Sequence, residues 1–138
     1  MMIQFVETDL FEVAISHNRY TLLNQDADPL WNVCQRHHVA AINGASYGSG
    51  ILAKGPSAYP RYAYGQASDD YVERAQTLEA ICQRYDVPLA AVALQFSLRD
   101  PRIISTIVGI SKPERVSQTL TLSQCDIPDA LWDEVTHL

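Results

Sequence analysis

Apolar residues gather in short runs separated by polar, proline-bearing breaks. Residues 11–16 (Phe-Glu-Val-Ala-Ile-Ser) are β-prone and flanked by polar positions, which predicts a strand. Residues 24–29 then supply acids and an early proline, the chemistry of a helix start. Leu30, Trp31 and Cys34 give that helix one apolar face as far as about His38. Residues 39–42 (Val-Ala-Ala-Ile) show no polar alternation, which suits a strand buried on both faces of a parallel sheet. Tyr71, Ala75, Leu78, Cys82 and Tyr85 recur at helical spacing, predicting a helix over 69–85. Asp86-Val87-Pro88 breaks it, and the nearly all-apolar 89–98 predicts a second, more buried helix that Arg99-Asp100-Pro101 ends. Residues 103–108, rich in β-branched side chains, make a third strand. Ser111 with Glu114 fits a capping box opening a helix that runs to about Leu122, and 126–135 predicts a short final helix.

Two stretches carry no periodic pattern. Residues 43–50 form a loop of small residues, and an irregular segment follows with Pro56, Tyr59, Pro60, Arg61, Tyr62 and Tyr64. A loop this long in a compact domain is usually functional or mobile. Strands alternating with helices predict an α/β fold of β/α units on a parallel sheet.

Composition narrows the picture. The 138 residues suit one domain, and 47% hydrophobic against 19% charged suffices for a core. A net charge of −6 argues against nucleic acid or an anionic membrane as partner. No apolar run reaches membrane-spanning length, and the opening Met-Met-Ile-Gln has no basic segment of a signal peptide, so a cytoplasmic protein is the default expectation. Cys34, Cys82 and Cys125 are odd in number and far apart, which reads as buried, inert thiols rather than a disulfide framework. His37-His38 are helical neighbours pointing about 100° apart and do not chelate, so no metal site is expected.

In parallel β/α folds, ligands bind beyond the carboxyl ends of the strands. Three places qualify: 16–20, 44–50 and 109–115. The glycine-bearing second allows a backbone to approach a phosphate closely. The third pairs a helix N-terminus with Arg115, an anion-ready combination. Each has a plain structural reading as well: a tight turn, an ordinary capping box, a solvated arginine. No catalytic constellation emerges. Asp69-Asp70 reads as a helix N-terminus rather than an acid/base pair. His17 is the one histidine at a strand end, and Tyr62 and Tyr64 either line a pocket or pack beneath the loop.

At these same places the sequence resembles the aldo-keto reductases. Asn18-Arg19-Tyr20-Thr21-Leu22-Leu23 is similar to the segment ending their sixth strand. Gly44-Ala45-Ser46-Tyr47-Gly48-Ser49-Gly50-Ile51-Leu52 resembles the loop after the seventh, which touches the cofactor's pyrophosphate. Ile107-Val108-Gly109-Ile110-Ser111-Lys112-Pro113-Glu114-Arg115-Val116 resembles the turn and helix after the eighth, which holds the adenosine end. Residues 20–25, Gly50-Ile51-Leu52-Ala53-Lys54-Gly55 and Val87-Pro88-Leu89-Ala90-Ala91 look most like the branch of sugar and pyridoxal dehydrogenases.

The resemblance implies a partial (β/α)8 barrel, roughly the last three β/α units with a C-terminal helix. It implies NADP or NAD as cofactor and hydride transfer to or from a sugar or other small carbonyl or alcohol. By position, His17 matches a residue at the nicotinamide carboxamide, and Ala45, Tyr47, Gly48 and Gly50 fall in the pyrophosphate loop. Ile110 and Ser111 fall in the adenosine turn, Arg115 matches the arginine at the 2′-phosphate or adenine, and Gln118 and Thr119 lie beside the adenine. Gly44 stands where many members carry an aromatic, and Gly109 where many carry a lysine. The family's catalytic Asp, Tyr, Lys and His belong to earlier strands. A complete barrel usually needs at least about 200 residues. Two further readings follow: a catalytically inactive fragment, and an interaction module. A partial barrel also leaves open sheet edges on which copies self-associate.

Overall fold

The computed structural model describes residues 1–136 of the chain. The order is α1 (Met2–Val6), β1 (Val13–His17), α2 (Asp28–Arg36), β2 (Ala40–Gly44), a 3-10 turn (Gly48–Gly50), α3 (Ile51–Lys54), β3 (Arg61–Tyr62), β4 (Gly65–Gln66), α4 (Asp69–Arg84), α5 (Leu89–Leu98), β5 (Ile103–Ile107), α6 (Glu114–Ser123) and α7 (Asp129–Thr136). β1, β2 and β5 form one parallel sheet in that order, with Ile15 opposite Ile42 and Gly44 opposite Ile107. β3 and β4 make a separate antiparallel hairpin. The molecule is the expected α/β partial barrel, and among the described residues its sheet is three-stranded and open.

The helices sit where apolar spacing and caps put them. α4 opens at Ser68, whose hydroxyl accepts from the Tyr71 N–H at 3.4 Å, with Asp69 and Asp70 in the first turn as expected of an N-terminus. α5 is apolar but for Gln95 and Ser97, and Ala91, Val92 and Ala93 are fully buried. Two apolar clusters result. One joins Leu23, Ile51, Leu52, Leu78, Val92 and Leu131, and the other surrounds Trp31 with Val6, Tyr20, Cys34 and Ala41. Phe96 packs against both.

Several expectations are corrected. β2 is not buried on both faces: Ala40 and Ile42 are only partly covered, while Ala41 and Asn43 are buried. β1 alternates likewise, leaving Val13 and Ile15 about half exposed. The sheet thus has one helix-covered face and one open face, as part of a barrel does. Ser111 and Glu114 form no capping box. Pro113 already has helical angles (φ −55°, ψ −38°) and the Arg115 N–H bonds to the Lys112 carbonyl, so the turn begins past Ser111 and its hydroxyl is out of register. The helix start within 24–29 holds: α2 opens at Asp28 with Pro29 in its first turn, while Asn24 accepts the Asp26 N–H at 2.9 Å in a turn before it. α7 begins after Pro128, since a residue before proline disfavours helix. Cys34 and Cys82 are buried, and burial pushes the Cys82 thiol up to about 11. Cys125 is half-buried, beyond the end of α6.

Candidate functional site

A cavity of about 750 Å3 opens at the carboxyl ends of the three parallel strands. That volume is within the range of small-molecule and cofactor sites, about 300–1,000 Å3. Its wall comes from the end of β1, the loop and turn after β2, the end of β5 and one face of α6.

β1 delivers His17 to the rim. The next residue, Asn18, has φ 59°, which turns its amide back so that Nδ2 lies 2.8 Å from His17 Nδ1. With that nitrogen accepting, the imidazole carries its proton on Nε2, where it meets the Tyr64 hydroxyl at 3.1 Å. The Tyr64 ring lies parallel to the imidazole, centroids 5.5 Å apart and planes 4° apart. Ser49 closes the circuit: its hydroxyl donates to Asn18 Oδ1 at 3.2 Å and accepts from the Tyr64 N–H at 3.3 Å.

β2 ends on Gly44, where a Cβ would stand 3.1 Å from the His17 ring. A larger residue there requires the imidazole to give by a few tenths of an ångström. The loop then turns sharply, with positive φ at Ala45, Gly48, Ser49 and Gly50. At Gly48 an added Cβ would fall 2.6 Å from the Tyr62 ring, so glycine permits that aromatic to close down. Tyr62 is pinned in turn: its hydroxyl donates to the Asn18 carbonyl at 2.7 Å and lies 3.1 Å from Thr21 Oγ1. Burial pushes its phenol up to about 12. The hairpin is thereby tied to the end of β1, and its tip residue Tyr64 reaches the cavity while Tyr62 packs inside.

Opposite, Ile107, Val108 and Gly109 end β5, and α6 presents Arg115, Gln118 and Thr119. Tyr47 faces them. Burial raises its phenol, partly offset by the Thr119 side chain beside it.

Of the residues singled out from sequence, His17, Ala45, Tyr47, Gly50, Arg115, Gln118 and Thr119 line one cavity. Gly48, Ile110 and Ser111 do not: Gly48 braces Tyr62, and Ile110 and Ser111 lie exposed in the turn before α6. Ser49, Lys54, Tyr59 and Arg61 also line it, and sequence reasoning had no role for them. The available signal was the interleaving of bases and tyrosines in the irregular segment. Every lysine or arginine on the wall (Lys54, Arg61, Arg115) meets no aspartate or glutamate there. An apolar floor with glycine turns and cationic sides suits an elongated, phosphate-bearing ligand. Among the described residues, no three metal-binding side chains cluster, and no helix is long and apolar enough to cross a membrane.

The chain is similar to several known proteins. D-threo-aldose 1-dehydrogenase from a Pseudomonas species is 35% identical over 133 residues, which is 95% of this chain and 40% of that protein. Pyridoxal 4-dehydrogenase from Microbacterium luteolum is 32% identical over 127 residues, 91% of this chain and 37% of that protein. The chain therefore spans about two fifths of the length of these relatives. The holo form of aldo-keto reductase AKR11C1 from Bacillus halodurans superposes with a TM-score of 0.76 over 99% of this chain and 45% of its own, at 14% identity, a likeness of fold. Residues 2–138 match the Aldo/keto reductase family along almost their whole length, and with the strand-end cavity in place the chain belongs to that family.

Proposed function

We propose that these 138 residues are the C-terminal part of the barrel domain of an NAD(P)-dependent oxidoreductase, and that they supply its cofactor-binding side. The complete enzyme moves a hydride between the nicotinamide and a sugar or other small carbonyl or alcohol. The names of the relatives, an aldose dehydrogenase and a pyridoxal dehydrogenase, support that substrate class. One observation carries the cofactor reading: residues from three strand ends and from α6 converge on one acid-free cavity. Arg115, Gln118 and Thr119 suit the adenosine end, Ala45, Tyr47 and Gly50 the diphosphate, and His17 the carboxamide. The nicotinamide supplies the hydride chemistry. This chain's residues bind and orient it, and the proton-transfer residues belong to strands outside the matched part. The isolated chain accordingly turns over no sugar with NAD(P).

The test is a fluorescence titration of the chain with NADPH. Saturable binding is expected, weakened about tenfold in Arg115→Ala, the loss of one charge-assisted contact. Unchanged affinity in that variant refutes the adenosine assignment.

A second reading, a non-catalytic module that associates with itself or another chain, draws on one feature. Val13, Ile15, Ile104 and Ile107 are each about half exposed or more on the sheet strands. A sedimentation mass that rises with concentration supports it, and a strictly monomeric mass removes it.

A further inference from the structure

We infer that His17, Asn18, Ser49 and Tyr64 form a proton-responsive latch: a proton added to His17 tightens the hold of the β3–β4 hairpin on the end of β1. The latch belongs to the mouth of the cavity and does not depend on which ligand the cavity takes.

The hairpin is a marginal element. Its strands are two residues each, and its tip residues Ala63 and Tyr64 have positive φ, 47° and 68°, where an L side chain is strained and glycine is the usual choice. Tyr64 is 74% exposed, so little packing compensates. What holds the tip is polar. The Tyr64 N–H donates to Ser49 Oγ at 3.3 Å, its carbonyl accepts from Arg61 Nη2 at 3.1 Å, and its hydroxyl lies 3.1 Å from His17 Nε2. A short, strained hairpin opens at low free energy, so a small change in these bonds shifts its population.

Histidine changes charge between about pH 5 and 8. In neutral His17, Nδ1 accepts from Asn18 Nδ2 at 2.8 Å, and Asn18 Oδ1 accepts from Ser49 at 3.2 Å. A second proton enters on Nδ1 and sets two donors against each other. Turning the Asn18 amide by half a rotation resolves the conflict. Oδ1 then accepts from Nδ1–H, and Nδ2 donates to Ser49 Oγ, which has a lone pair left beside the one that takes the Tyr64 N–H. The Asn18 backbone stays in place, bonded to the Gly44 carbonyl and the Tyr62 hydroxyl. The imidazolium bonds to Asn18 and Tyr64 are both charge-assisted, about twice as strong as neutral ones. Tyr64 is therefore gripped harder in acid. The other charged groups on the wall are Lys54 from α3, Arg61 from the hairpin and Arg115 from α6, while β2 and β5 bring the uncharged Gly44 and Ile107. Those cations oppose the added proton through space, which leaves Asn18 Oδ1 and Tyr64 Oη as the groups that hold it. The phenols of Tyr47 and Tyr59 complete the wall, and a phenol does not titrate in that range.

The experiment is NMR of the whole chain between pH 5 and 8, on wild type, His17→Gln, Asn18→Asp and Tyr64→Phe, with circular dichroism to check folding. It reads the His17 midpoint, the Asn18 side-chain amide signals, and the exchange protection of the Tyr64 amide corrected for the intrinsic effect of pH. The Asn18 signals are expected to follow the His17 midpoint, and Tyr64 to be about threefold or more better protected at the acid end. His17→Gln should abolish that pH dependence. Asn18→Asp, an acceptor only, should raise the midpoint by about one unit or more, and Tyr64→Phe, which removes an acceptor, should lower it. Equal Tyr64 protection across the range, or the same change in His17→Gln, overturns the inference. So do Asn18 signals indifferent to the His17 midpoint, or a midpoint unmoved in Tyr64→Phe.

Discussion

Arg102 lies just before β5 and ties three segments together: its own turn, α2 and the stretch after β1. Its Nε is 2.9 Å from Asp100 Oδ1, and Nη2 is 2.6 Å from Asp100 Oδ2 and 2.8 Å from Asp28 Oδ1. Nη1 reaches Asn32 Oδ1 at 2.7 Å, and the Tyr20 hydroxyl donates to Asp100 Oδ2 at 2.6 Å. The Arg102 and Asp100 side chains are only 17% and 7% exposed, so this is an interior network rather than a surface pair. Burial alone would raise the Asp100 carboxyl, but the bonds from Arg102 and Tyr20 outweigh it and hold it at about 2. Against an unfolded value of about 3.9, that difference contributes about 2.5 kcal/mol near neutral pH. Replacing Arg102 by leucine removes this and strands a buried carboxylate, so the expected loss is about 3–4 kcal/mol, or about 10 °C in Tm. The loss must also depend on pH. In the wild type, the contribution is present above about 4 and disappears as pH falls towards 2. In the variant, uncompensated burial raises the carboxyl, so protonation relieves it and the deficit shrinks in acid. Denaturant unfolding followed by circular dichroism at pH 7 and pH 3 reads both effects. A deficit below about 1 kcal/mol at pH 7, the range of exposed pairs, or an equal deficit at both pH values, refutes the reasoning.

Two further outcomes follow from packing. Gly48→Ala places a Cβ 2.6 Å from the Tyr62 ring at φ 55°, so thermal unfolding should show a loss of about 2 kcal/mol or more; an unchanged Tm means that the turn yields freely. In the native protein Cys125 should react with a thiol reagent well before Cys34 and Cys82, which are buried and raised, and simultaneous labelling of all three would contradict the burial.

The periodic parts of the chain were legible because one-dimensional spacing is what a helix face or a strand requires. α4 follows from spacing and α5 from a long apolar run ended by a proline, and the three strand ends follow from short apolar runs bounded by turns. The cavity was legible where a site residue lies at a strand end, as His17 and Ala45 do, or in the first turn of the helix that follows one, as Arg115 does. Lys54 and Arg61 were not: Lys54 ends the four-residue α3 and Arg61 enters through the hairpin of β3 and β4, elements too short to leave a pattern. α1 is too short to show a face. The capping box at Ser111 looked right in spacing and failed by register, since Pro113 was already helical. Spacing identifies which residues can cap, and only the path of the chain decides where the turn begins.

Phe96 has a consequence for how the molecule comes apart. The cluster around Leu78 and Leu131 and the cluster around Trp31 share no buried member, and Phe96 alone packs against both among the described residues. Besides that aromatic, buried polar bonds tie the two regions, Tyr62 to the Asn18 carbonyl and Asn43 to Ser97. The strand-end cavity straddles them. Tyr47 and Leu122 pack on the first, while β1, which ends in His17, lays Ala14 into the second. A ligand spanning that cavity touches residues packed on both clusters, so its occupancy should raise the stability of both together.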